Sequence, residues 1–165
     1  MIELSFRQDE AKLIYLAIAY HLGRPGSELD PETKLPVEHG LAEVGQALQP
    51  LLRGDHATIA LTDENQVTRL QSAMLGTISE LKTYPMLELR TMDEGGGRRS
   101  TVPGFDATLR HMFPEVEDEP EIALDLAEQM LMLRRRFDQR IAELPPLSPP
   151  PEPEQPKRSW WRFGR

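Results

Sequence analysis

No cysteine occurs among the 165 residues. Disulfide staples and thiolate chemistry are therefore excluded, although the compartment is not fixed by that absence alone. A long apolar run is missing too. The longest, LIYLAIAY at residues 13–20, falls far short of the roughly 20 residues that span a bilayer. The opening MIELSFRQDE has no basic region followed by an apolar one, so no secretory signal is read there. Together these point to a cytoplasmic protein. Lysine is scarce, 4 residues against 15 arginines, a bias to which no mechanism attaches. Net positive charge is absent from the body of the chain. The total is −8, and residues 145–165 hold four basic and two acidic groups, which leaves −10 on residues 1–144. An acidic body repels phosphate backbones, which argues against nucleic-acid binding through it.

Catalytic and metal-binding signatures are lacking as well. His21, His39, His56 and His111 are scattered, with none at the two- or four-residue spacing of paired ligands, so no metal site is expected. Asp55-His56 stands without a Gly-x-Ser-x-Gly nucleophile motif. The stretch EGGGRRST (94–101) has glycines but neither the Gly-Lys-Ser/Thr ending nor a strand–helix setting, so it is no phosphate loop. No catalytic residue and no cofactor are assigned. An enzyme whose site is assembled from distant residues remains the alternative that sequence reading leaves open.

What is present is a set of periodic segments. IELSF (2–6) alternates apolar and polar residues, the pattern of a half-buried strand. A helix is expected from Gln8 to Leu22, with Leu13, Ile14, Ala17, Ile18 and Tyr20 leaving little polar face, which suits a central position. GRPGS (23–27) ends it. A second helix is expected from Val37 to Leu52, with Pro36 in its first turn and Val37, Leu41, Val44, Leu48 and Leu51 as its stripe. Gly40, Gly45 and Pro50 weaken that segment. ATIAL (57–61) reads as a second strand. A third helix then opens at TDENQ, capped by Asp63 with Gln66 reaching back. It carries Val67, Leu70, Met74, Ile78 and Leu81 on one face and stops at Tyr84-Pro85. The two strand–acidic turn–helix units resemble each other weakly. Either an internal duplication or the chance recurrence of a common unit accounts for that, and in the first case their strands would pair around a shared core.

DEGGGRRSTVPG (93–104) is the clearest internal loop, because three consecutive glycines resist ordering. Its RRST also resembles a basophilic kinase site with Ser100 or Thr101 as acceptor, although matches so short arise by chance. One or two helical turns are expected from Phe105 to Met112. The last helix, within residues 121–144, has Ile122, Leu126, Met130, Leu133, Phe137, Ile141 and Leu144 in a stripe about three heptads long. Acids precede it, and Arg134, Arg135, Arg136 and Arg140 sit near its end, as the helix dipole favours. The RRR at 134–136 reads as a solvated face ahead of an anion site. The expected fold is an α-rich α+β domain over residues 1–144, with about four helices and two short strands.

Residues 145–156 then hold seven prolines in twelve positions. Such a stretch is expected to be an extended, disordered linker rising about 3.1 Å per residue. Beyond it, KRSWWRFGR (157–165) contains both tryptophans of the chain. Trp and Arg dominate interface hot spots. Large apolar groups on a tether, with no fold of their own to bury them, suggest a partner surface. The candidate binding residues are Lys157, Arg158, Trp160, Trp161, Arg162, Phe163 and Arg165. Three readings compete: a docking motif for a protein groove, an anchor on an anionic membrane surface, and a plain tail folding back on the acidic body. The first makes the chain a non-enzymatic adaptor or regulatory interaction protein, with the helix in 121–144 as a possible homo-oligomer surface. The second makes it a peripheral membrane protein.

Overall fold

Alternation in Ile2–Arg7 produces β1, whose Ile2, Leu4 and Phe6 are buried while Glu3, Ser5 and Arg7 face out. The computed structural model describes residues 1–32, 40–91, 100 and 102–145, apart from the side chains of 87–91. His56–Leu61 forms β2 with the complementary pattern, burying Ala57, Ile59 and Leu61. The two strands pair antiparallel, Ile2 opposite Leu61 and Phe6 opposite Ala57. Ser5 and Thr58 join hydroxyls across the outer face at 3.0 Å.

Helix α1 (Gln8–Gly23) follows β1 directly, and Glu10 reaches back to accept the Arg7 backbone N–H at 3.0 Å. It is central, as its thin polar face requires. It packs on both strands and on α2 (Ala42–Leu48), α3 (Glu64–Thr91), α4 (Phe105–Met112) and α5 (Ile122–Ala142). Two close approaches set its neighbours. A Cβ on Gly76 of α3 would lie 2.2 Å from the Tyr20 ring, and one on Gly45 of α2 would lie 3.0 Å from Ile18. Glycine lets both helices come this near. The Tyr20 ring then meets Phe105 edge-on, with centroids 6.0 Å apart.

The fold is helix-rich with one two-stranded antiparallel sheet, as expected, but among the described residues it has five α-helices where about four were read. The segment Phe105–Met112 is a helix in its own right. Two boundaries also differ. The sequence pattern predicts the second helix at 37–52, yet α2 starts only at Ala42, and Val37 lies outside the described residues. At Gln49–Arg53 the chain tightens into a 3₁₀ turn, because Pro50 has no N–H for an α-helical bond. The tighter winding shifts the buried face, so Leu52 is buried while Leu51, expected in the stripe, is exposed. The third helix does not stop at Tyr84-Pro85 but runs through Pro85 to Thr91. Pro85 sacrifices one backbone bond there. Leu81 and Tyr84 are completely buried beside it, and Tyr84 donates to Asp106 at 2.6 Å, so tertiary packing holds the turn in place.

Leu70, Met74, Ile78 and Leu81 of α3 meet Leu126, Met130, Leu133 and Phe137 of α5 in one apolar cluster. Ile122 and Ile141 are half-buried, and Leu144, past the helix end, is exposed. Both β–α units share this core. The register sets Leu4 opposite Ile59 at the centre of the pair.

Candidate functional site

Lys157, Arg158, Trp160, Trp161, Arg162, Phe163 and Arg165 lie outside the described residues, as does the Pro-rich linker beyond Pro145. The chain leads to them from the end of α5, where Ile141, Leu144 and Pro145 border a groove of about 270 Å³ with Ile2 and Val67.

At the other end of α5 a wider cleft, about 370 Å³, separates that helix from the start of α1. Asp9, Glu10 and Leu13 line one wall; Asp125, Glu128 and Met132 line the other. Met132 is 54% exposed. Arg136 binds Glu10 at 2.7 Å, with Arg7 3.8 Å from the same carboxylate. Among the described residues no cation pairs with Asp9, Asp125 or Glu128. The arginine run of α5 is largely engaged within the protein. Arg134 reaches Asp138 at 3.7 Å, and Arg140 donates to the Ser5 carbonyl at 2.9 Å and lies over the Phe6 ring. Arg135 is exposed.

Two ionic clusters tie elements together, one around a buried carboxylate and one half-buried. The Glu28 side chain has no exposed surface. One carboxylate oxygen accepts the N–H groups of Leu41 and Ala42, which open α2; the Ala42 bond is 3.0 Å. The other oxygen meets His21 Nε2 at 2.8 Å, with Arg69 at 3.8 Å. Burial works against the charged carboxylate. Hydrogen bonds from its own backbone, from His21 and from Leu41 outweigh that, and the group titrates below its ordinary value. Glu28 is thus a cap delivered from the preceding loop to the helix N-terminus. Close by, Gln66 Nε2 donates to the Gly40 carbonyl at 2.9 Å. Asp63 caps α3 as expected, accepting the Gln66 N–H at 2.9 Å, and the Gln66 side chain reaches back to accept the Thr62 N–H at 2.7 Å. The second cluster joins Tyr84, Asp106 and Arg110. Burial, and then the bond to Asp106, raise the Tyr84 hydroxyl above its usual value. Neither cluster is legible in the sequence, because Glu28 acts across a span with no periodic signal and Tyr84-Pro85 reads as a helix stop.

Of the histidines, His21 serves Glu28, His56 begins β2 opposite Arg7, His111 is on α4, and His39 lies outside the described residues. No group of three potential metal ligands occurs among the described residues. No helix among them is long and apolar enough to cross a membrane. The kinase-site reading loses one acceptor. Ser100 is buried at 3% exposure and donates to Glu80 at 2.6 Å, where a phosphate would meet a carboxylate. Thr101 and the glycine-rich 92–99 lie outside the described residues. No protein-family model, no curated protein and no solved structure matches the chain.

Proposed function

We propose that this chain is a non-enzymatic adaptor or regulatory interaction protein that engages a protein partner through residues 157–165. The observation that carries this reading is compositional. Both tryptophans, with Lys157, Arg158, Arg162 and Arg165, follow a segment of seven prolines and stand apart from the acidic body. The two ionic clusters support it, because they have structural tasks, capping α2 and fastening α4 to α3. The tether raises the motif's local concentration near whatever the body touches.

The test compares binding of the full chain with that of the Trp160→Ala/Trp161→Ala variant and a chain carrying a scrambled 157–165. A desolvated Trp accounts for about 2 kcal/mol or more of binding, so the double variant loses the partner while its melting temperature holds. Scrambling also abolishes binding, because a protein groove reads residue order. Retention by anionic vesicles that survives scrambling and falls with salt, about 1 kcal/mol per basic residue, would assign the tail to a membrane surface instead. If neither vesicles nor a protein retains the wild-type tail, the proposal fails.

A further inference from the structure

We propose that residues 157–165 dock on the chain's own body, in the cleft between the start of α1 and the N-terminal half of α5. Three observations select that place. The first is charge. The motif has four basic residues and no acid. Four carboxylates line the cleft, Asp9, Glu10, Asp125 and Glu128, against two guanidinium groups, Arg7 and Arg136; both of these engage Glu10, and among the described residues no cation pairs with the other three acids. The groove between α1 and α2, lined by Tyr15, Leu22 and Leu29, has no charge to offer guanidinium groups. The groove at the far end of α5 offers a single carboxylate, Glu64, to four basic groups. The second is shape and polarity. About 370 Å³ is room for an indole, and Met132 presents its thioether at the cleft wall. Guanidinium groups beside an aromatic pair suit carboxylates beside an apolar floor.

The third is reach. The body ends next to α5 at Pro145. From Ala142 back to Glu128 the helix climbs about 21 Å at 1.5 Å per residue. The twelve residues 145–156 extend to about 37 Å as polyproline II. The motif therefore spans the distance with slack for a turn. A tether of this size holds its end at roughly millimolar local concentration, so contacts too weak to join separate molecules are occupied within one. Docking would also withhold the tryptophans from an outside partner until that partner, or salt, displaces them. The inference goes beyond the proposed function and stands apart from it: a tail that captures a partner but never touches its own body leaves that function intact.

Both tryptophans lie in the motif, so Trp emission of the full-length chain reports on it alone. At low salt the full chain should emit to the blue of the isolated 157–165 peptide and be quenched by acrylamide several-fold less. Asp125→Lys with Glu128→Lys, both on exposed positions, should bring emission and quenching to the free-peptide values without moving the melting temperature. Salt at about 1 M, where the Debye length is about 3 Å, should do the same. Met132→Ala is the second variant, should the charge reversal disturb the fold, and should weaken protection in part. Wild-type tryptophans as accessible as those of the peptide overturn the proposal. So does protection that survives both variants, or that grows with protein concentration, which would place the tail on a second copy.

Discussion

Glu28 belongs to a stretch, SELD, that has no apolar periodicity, yet its carboxylate fixes where α2 begins. Its titration gives the cap a signature. The folded group lies below the ordinary 4.5, so its stabilisation is complete above that value and fades as pH falls through the lower folded one. Glu28→Gln keeps the shape but loses the charge facing the two N–H groups and His21. Urea unfolding across pH should show the variant weaker by about 1–3 kcal/mol near neutrality. The gap should narrow steadily below about pH 4.5. A gap that stays constant down to strong acid would mean that the charge contributes nothing. No sequence pattern marks such a residue, because its partners are 13 and 14 positions away and are chosen by the path of the loop. Gln66 was half legible for the same reason: the spacing to Asp63 was visible, but not the bond to Gly40.

Elements with strong periodicity were legible throughout. In α5 the expected stripe is the buried face, with Met130 and Phe137 at 0% exposure. Met130→Asp or Phe137→Asp should therefore cost several kcal/mol, about the price of an unpaired charge in an apolar core. Calorimetry should find either variant largely unfolded; wild-type melting would mean that the stripe does not pack on α3. This packing also occupies the face once open to self-association, leaving Leu124 and Met132 as the exposed large apolar residues of that helix. Legibility failed where a proline met tertiary packing. Pro50 changes the winding without ending the segment, and Pro85 is bypassed because Leu81 and Tyr84 are completely buried around it. Proline propensity is a local quantity, and burial of a tyrosine held by Asp106 is not. The tail motif was visible in composition alone, since no periodic face surrounds it.

At the scale of the molecule, the two β–α units are not separable parts. Each contributes one strand to the sheet, and α1 of the first unit packs on α3 of the second. Unfolding should be a single transition. The three tyrosines, Tyr15, Tyr20 and Tyr84, sit on these two helices. Their near-ultraviolet signal should therefore fall in urea at the same midpoint as the far-ultraviolet helix signal. Two separated midpoints would show that the units fold independently. The same pairing has a consequence during synthesis. β1 leaves the ribosome well before His56–Leu61, and at 5–20 residues per second the wait is about 3–10 s. Through that interval its apolar residues Ile2, Leu4 and Phe6 have no strand to pair with. The nascent chain therefore offers a holding chaperone a short apolar strand until the second unit emerges to claim it.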